Sequence, residues 1–67
     1  MNSARILSAF QIYGPATVDE IERATGLSHQ CVSARAADFR RRGVLRATGK
    51  TRPTRYGVPA RVLEVVK

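Results

Sequence analysis

The sequence has few of the residues that form covalent or metal cross-links: its 67 residues include one cysteine and one histidine. A single cysteine cannot form an internal disulfide, and one cysteine with one histidine cannot complete a tetrahedral zinc site. No apolar run approaches the roughly 18 residues of a membrane-spanning helix. The N-terminal segment also lacks the apolar core of a signal peptide. We therefore expect a protein of the reducing cytoplasm that carries no metal or other cofactor.

Acidic residues are also scarce, since five Asp and Glu stand against twelve Lys and Arg and leave a net charge of +7. Residues 39–67 contain nine of the cations and one of the acids. Such an excess repels itself unless an anion binds to it, and arginine suits phosphate and guanine edges through its planar fork. Nucleic acid is the leading candidate partner, and a solvated, solubilising face is the alternative. A membrane surface is disfavoured because this half does not form one amphipathic helix.

The first predicted helix runs from about Ser3, its N-cap, to Tyr13, because four apolar residues share one helical face: Ile6, Leu7, Phe10 and Tyr13. Gly14 and Pro15 end it. The hydrophobic fraction of 43% is enough for the core of one small domain, and residues 1–67 are predicted to form it.

The second and third predicted helices follow after short turns. Thr17 and Glu20 form a capping box at the start of the second helix, which ends at Gly26. Its inward positions are predicted to be Val18, Ile21 and Ala24. The third helix spans about residues 28–42, with Ser28 as N-cap and Gly43 after its end. Its core positions are predicted to be Val32, Ala36 and Phe39.

The pattern then changes from helical to strand-like. Residues 44–48 and 58–66 are predicted as two strands, with Pro59 near the start of the second. Residues 49–57 are predicted as a basic loop without core residues, and Arg46 and Arg61 are candidates to face each other across the hairpin. The predicted fold class is therefore α+β, mostly helical: three helices followed by a two-stranded β-hairpin.

Residues 17–28 and the segment after them resemble a known family. Two short helices joined by a Gly-containing turn form a helix-turn-helix unit, and a basic hairpin directly after them corresponds to a wing. The segment 17–28 looks like the first half of a winged helix-turn-helix. The residues that look like the recognition helix and first wing strand of MarR-type regulators are Val32, Ser33, Ala36, Phe39 and 41–45. Residues 28–35 also match the Ser-x-Gln-x-Val-Ser-Ala-Arg pattern of small winged-helix proteins of phages and prophages, which the chain resembles more closely.

The resemblance implies a double-stranded DNA-binding protein, most simply a sequence-specific transcriptional regulator associated with the nucleoid. It implies that the third helix lies in the major groove and that the wing lies on the backbone or in the minor groove. MarR-type proteins carry flanking helices that form their dimer, and residues 1–67 have no counterpart of them. Dimerisation and small-molecule sensing are therefore not carried over, and no small-molecule ligand is expected.

The early outward positions of the third helix are the candidates for reading bases, because the N-terminal part of a recognition helix points at base edges. They are His29, Gln30, Ser33, Ala34 and Ala37. Gln30 can pair bidentately with adenine, Ser33 can bond to several bases, and the Ala34 methyl group can touch thymine. His29 is alternatively an exposed polar residue without a contact. Cys31 is interpreted as a packing residue and not as a reactive thiol.

Contacts to the DNA backbone or minor groove are expected from a second set: Ser28, Arg35, Arg40, Arg41, Lys50, Arg52 and Arg55. Ser28 and the free amides of the first turn suit a phosphate, and arginines on a wing suit a narrow minor groove. For Arg35 the alternative is a structural ion pair with Asp38 or with an acid on the second helix. For Arg40 and Arg41 the alternative is a solvated last turn.

Other classes of function stay open at this point. An architectural or recombination accessory factor, excisionase-like or nucleoid-type, would bind through arginine and DNA shape with little sequence preference. A winged helix can also bind RNA or another protein, although Tyr56 is the only aromatic residue near the wing. An enzyme is not expected, because no carboxylate pair, Ser–His pair or metal-ligand spacing is present. Since one groove contact is weak, we expect a homodimer or cooperative binding at half-sites about one helical turn apart.

Overall fold

The chain folds into three α-helices followed by two antiparallel strands, in a computed structural model that describes residues 2–66. The elements are α1 Asn2–Tyr13, α2 Val18–Thr25, α3 His29–Arg41, β1 Leu45–Pro53 and β2 Pro59–Val65. The predicted α+β order, three helices and then a hairpin, is confirmed. Met1 and Lys67 lie outside the described residues.

Helix α1 buries two side chains that are one turn apart. Ile6 and Phe10 are fully enclosed, as their spacing predicts, and Ala9 is buried beside them. Tyr13 was predicted on the same face but is 63% exposed, because it is the last residue of α1 and lies past the part that the other elements cover. Ser3 was predicted as the N-cap, which is wrong because α1 begins one residue earlier and includes it.

Helix α2 is fixed at both ends by local hydrogen bonds. The Thr17 amide donates to Glu20 Oε1 at 2.8 Å and the Glu20 amide donates to Thr17 Oγ1 at 3.2 Å, which confirms the capping box. Gly26 ends the helix in the left-handed conformation, φ 72°, where residues with a Cβ are strained. Ala24 was predicted to face inward but is exposed. In a helix of 8 residues, Ile21 alone provides the deep contact on that face.

Helix α3 follows its prediction closely. Ser28 caps it by accepting a hydrogen bond from the Cys31 amide at 3.2 Å, and the three predicted core residues Val32, Ala36 and Phe39 are buried. All five elements and the α1–α2 connection contribute to one core cluster: Ile6, Ala9, Phe10, Ala16, Ile21, Val32, Ala36, Phe39, Leu45 and Leu63. Burial of each large apolar side chain contributes about 1.5–3 kcal/mol, so this cluster holds α2 and α3 at a fixed angle.

The hairpin differs from its prediction in length. Residues 49–53 belong to β1, so the predicted nine-residue basic loop is wrong and only residues 54–58 connect the strands. Strand pairing, a long-range property, overrides the weak local propensity of this segment. Thr48, Gly49 and Lys50 together lie opposite Val62 in a bulge, and Gly49 has φ 88° there.

The bulge changes which side chains oppose each other. Arg46 lies opposite Glu64, and Arg61 lies opposite Thr51, so the predicted pairing of the two arginines across the hairpin is wrong. The adjacent β2 residues Val62 and Leu63 are both buried. Ala16, in the α1–α2 connection, exchanges two backbone hydrogen bonds with Leu63 at 2.8 and 2.9 Å. This bridge bonds the hairpin to the helices near its root.

Candidate nucleic-acid interface

The surface of α3 opposite the core is narrow and carries small side chains. Gln30, Ala34, Ala37 and Arg41 follow one another at intervals of one helical turn, and all four are exposed. We call this row the α3 outer face. Ser33 lies beside it and is half-buried. The side chains of Ala34 and Ala37 in the α3 outer face are methyl groups, so another macromolecule can approach the α3 backbone closely along this row.

His29, the first residue of α3, is exposed but has a partner within the chain. Its Nδ1 lies 2.7 Å from Glu22 Oε2, and the His29 side chain is 72% exposed. The open part of the ring points away from the carboxylate and remains accessible. The predicted base-reading residues therefore all lie along the exposed or half-buried side of α3, and His29 is additionally tied to α2.

A shallow groove rich in arginine borders the α3 outer face on the side of β1. It is lined by Ala37, Arg40, Arg41, Leu45, Arg46 and Ala47. We call this the arginine groove. Arg41 and Arg42 both approach Asp38, at 3.6 and 3.1 Å, and Arg46 Nε donates to Glu64 Oε2 at 2.8 Å. The guanidinium groups of Arg40, Arg41 and Arg46 thus share one open groove with small side chains, which suits a phosphodiester backbone.

Each of the five carboxylates in the described part of the chain lies beside a cation. The pairs are Asp19 with Arg23 and Arg55, Glu20 with Arg52, Glu22 with Arg55 and His29, Asp38 with Arg41 and Arg42, and Glu64 with Arg46. A carboxylate with a cation beside it repels an approaching polyanion less than a free one does. The negative charge of the chain is therefore compensated within the molecule.

Four cations within residues 2–66 form no salt bridge or side-chain hydrogen bond: Arg35, Arg40, Lys50 and Arg61. Arg35 had a structural ion pair as its alternative interpretation. The structure does not contain it, because Asp38 binds Arg41 and Arg42, and the α2 acids bind other cations. Like Arg5, whose side chain donates to the Thr25 carbonyl, these four side chains have no carboxylate partner among the described residues, and all four are exposed.

The two hairpin arginines predicted to contact DNA both form ion pairs with α2, although their side chains stay 46% and 38% exposed. Arg52 Nη1 donates to both Glu20 carboxylate oxygens, at 2.8 and 2.9 Å, and Nη2 donates to the Pro15 carbonyl at 2.9 Å. Arg55 Nε donates to Asp19 Oδ1 at 2.7 Å, and Nη2 donates to Glu22 Oε1 at 3.2 Å. These contacts hold the hairpin against the first turns of α2.

The electrostatics of Arg55 agree with this geometry. Desolvation by itself lowers the pKa of the guanidinium, but the attraction of Asp19, followed by Tyr56 and Glu22, outweighs it and raises the pKa above its ordinary value. The Asp19 and Glu22 side chains are each only 9% exposed, so Arg55 compensates two largely buried carboxylates. Nothing in the local sequence indicates this contact, since the partners are 33 and 36 residues apart.

The remaining features carry less information. Cys31 is half-buried and packs against the core cluster, as predicted. Within residues 2–66, no helix is long and apolar enough to cross a membrane, and no group of three or more His, Cys, Asp or Glu is placed to hold a metal ion.

No protein-family model matches the sequence, and comparisons with curated proteins and with solved structures also give no match. Function is therefore inferred from the geometry and charge of the chain's own residues.

Proposed function

We propose that this chain is a winged helix-turn-helix protein that binds double-stranded DNA, with α3 in the major groove and the β1–β2 hairpin as the wing. The order of elements supports this: α2, a turn closed by Gly26, and then α3 form a helix-turn-helix unit. The hairpin follows directly, and the Ala16–Leu63 bridge bonds it to the connection between α1 and α2.

The observation that carries the proposal is the α3 outer face with the arginine groove beside it. An α-helix with its side chains is about 10–12 Å in diameter and the major groove is about 12 Å wide, so α3, which has 13 residues, can lie in the groove. Ala34 and Ala37 allow close approach, while Gln30 and Ser33 present hydrogen-bonding groups to base edges. The arginine groove lies where the phosphate backbone flanks a helix in this position.

The ion pairs within the chain divide the proposed backbone contacts into two groups. Arg40 has no partner within the described residues, and Arg35, Lys50 and Arg61 share that property, so these four are the strongest candidates for phosphate contacts. We propose that Arg52 and Arg55 act differently, by fixing the wing to α2 and by compensating its carboxylates. In this arrangement the protein acts as a sequence-specific transcriptional regulator that binds paired half-sites as two copies.

Selection from randomised duplex DNA tests the proposal. The selected duplex and a scrambled duplex are then titrated at 50 and 200 mM salt. A preference of about a thousandfold for the selected duplex is expected from direct readout by α3. Absence of binding to any duplex at 50 mM salt would overturn the proposal. The symmetry of the recovered motif reports the stoichiometry.

A second candidate function is supported by the same face. Ala34 and Ala37 offer no hydrogen-bonding group, so base readout falls to few side chains while the arginines bind any sequence. An architectural or recombination accessory factor would therefore bind the selected and scrambled duplexes equally, and both affinities would fall steeply with salt. The two-salt titration separates this candidate from the first.

A further inference from the structure

The tip of the β1–β2 hairpin exposes two apolar side chains. Tyr56 is 78% exposed and Val58 is 60% exposed, in a chain that has only four aromatic residues. Both belong to the connection at residues 54–58, which projects from the strongly basic part of the sequence. Binding residues lie disproportionately on loops that a rigid scaffold positions.

The backbone of this tip is held by hydrogen bonds within the turn. The Thr54 amide donates to the Val58 carbonyl and the Gly57 amide donates to the Thr54 carbonyl, both at 2.9 Å. The Tyr56 amide donates to Thr54 Oγ1 at 3.3 Å. Gly57, with φ 76°, supplies the left-handed residue that closes the turn. Hydrogen bonds therefore define the turn backbone although its apolar side chains are not buried.

The cation of this turn, Arg55, forms ion pairs with α2, while the ring of Tyr56 is exposed. Arg55 is bound by Asp19 and Glu22, and its Cζ lies 5.4 Å from the centre of the Tyr56 ring. A guanidinium at this distance stabilises an aromatic ring through a cation–π interaction. The ring of Tyr56 is therefore supported by a side chain that two carboxylates of α2 hold in place.

The same turn lies next to the first residue of α3. Tyr56 and Thr54 line one groove together with Val18, Asp19, Glu22, His29 and Ala60. The N-terminus of α3 is the end that approaches the bases in the proposed complex. Tyr56 is thus positioned at the edge of the DNA segment that α3 occupies.

We propose that Tyr56 is a stacking wedge that inserts its ring at a base step beside the α3 site and bends the duplex there, with Val58 covering the exposed base edge. This rests on the proposed DNA-binding function and adds to it a residue and a DNA deformation. Apolar wedges inserted between base steps unstack them partly and kink the duplex. Three observations suit a wedge: the ring is exposed, hydrogen bonds close the turn that carries it, and a cation lies beside one of its faces.

Binding measurements with three variants test the proposal. Tyr56→Ala is expected to weaken binding to the selected duplex about 5- to 150-fold, as base–aromatic stacking does, and to reduce the bend measured by energy transfer between end labels. Tyr56→Phe retains the ring and is expected to bind and bend DNA like the wild type. Tyr13→Ala is the matched control, because Tyr13 is also exposed but lies at the end of α1. An equal loss in Tyr56→Phe and Tyr56→Ala would assign the contact to the hydroxyl group and overturn the wedge.

Tyrosine emission provides a readout that does not depend on affinity. The chain has no tryptophan and two tyrosines, so Tyr13→Phe leaves Tyr56 as the only tyrosine. Stacking on a base is expected to quench its emission when the protein is saturated with duplex. Unchanged emission with normal binding overturns the wedge and leaves the proposed function intact, whereas failure of the wild type to bind any duplex overturns the proposed function itself. Because Tyr56 is exposed, its variants are expected to unfold at the wild-type temperature.

Discussion

Removal of one unpaired arginine from the arginine groove tests directly whether the unpaired cations contact DNA phosphates. In the Arg40→Ala variant a cation without a salt bridge within residues 2–66 is lost, so no carboxylate is left uncompensated. The variant therefore changes the number of phosphate contacts without altering the intramolecular ion pairs. We expect weaker DNA binding together with a smaller dependence of the affinity on salt.

The magnitude follows from counterion release. Each phosphate neutralised contributes about 0.9 to the slope of log affinity against log salt concentration. If the unpaired cations Arg35, Arg40, Lys50 and Arg61 each contact one phosphate, the wild-type slope is about −3.6 and affinity falls about 150-fold between 50 and 200 mM salt. The Arg40→Ala variant retains three of these contacts, so its slope is about −2.7 and its affinity falls about 40-fold over the same range of salt.

Fluorescence anisotropy of a labelled duplex at four salt concentrations measures the slope. Arg5→Ala is the matched control, since Arg5 is an exposed arginine on α1 whose side chain donates to the Thr25 carbonyl and does not line the arginine groove. It is expected to leave the slope at the wild-type value. An equal decrease of the slope in both variants would mean that net charge alone governs binding, and the reasoning from unpaired side chains would then be refuted.

Two further predictions concern base reading and stability. Gln30→Ala is expected to relax discrimination at one base pair by about 1–3 kcal/mol in competition assays with singly substituted duplexes, and equal losses at every position would remove Gln30 from the readout. Thr17→Ala removes the hydroxyl group that accepts from the Glu20 amide, which costs about 1 kcal/mol and lowers the unfolding temperature by roughly 4–8 °C. Thr17→Ser retains that hydroxyl group, and an unfolding temperature as low as that of Thr17→Ala would contradict the capping role.

The helices could be predicted from the sequence because their signals are local. The Thr17–Glu20 capping box, the N-cap Ser28 and Gly26 each act within a few residues, and the structure confirms all three. The errors fall at the edges of helical faces. Periodicity defines the direction of a buried face but does not show how far the neighbouring elements extend over it, so Tyr13 and Ala24 were assigned to the core.

The extent of β1 and the ion pairs could not be predicted, because both depend on contacts between distant residues. Residues 49–53 form a strand only because β2 lies beside them. Arg52 and Arg55 were identified correctly as cations of the hairpin, but their carboxylate partners lie more than 30 residues earlier in the chain. Composition shows that acids and arginines are present; it does not show which of them neutralise each other.

The pairing of Arg52 with Glu20 implies that a loss of binding does not by itself identify a phosphate contact. Glu20 closes the capping box in the first turn of α2, and its carboxylate, once uncovered, would repel a bound polyanion in the proposed complex. Arg52→Ala is expected to weaken binding to all duplexes because it uncovers this carboxylate. Glu20→Gln removes the charge and retains a side chain that suits a capping box.

The double variant Arg52→Ala, Glu20→Gln therefore separates the two roles of Arg52. If Arg52 acts by compensating Glu20, the second substitution restores most of the affinity that the first removes, and the two effects are strongly non-additive. If Arg52 contacts a phosphate directly, the double variant binds DNA with a salt slope smaller than that of the Glu20→Gln single variant by about 0.9. The second result would return Arg52 to the set of DNA-contacting residues.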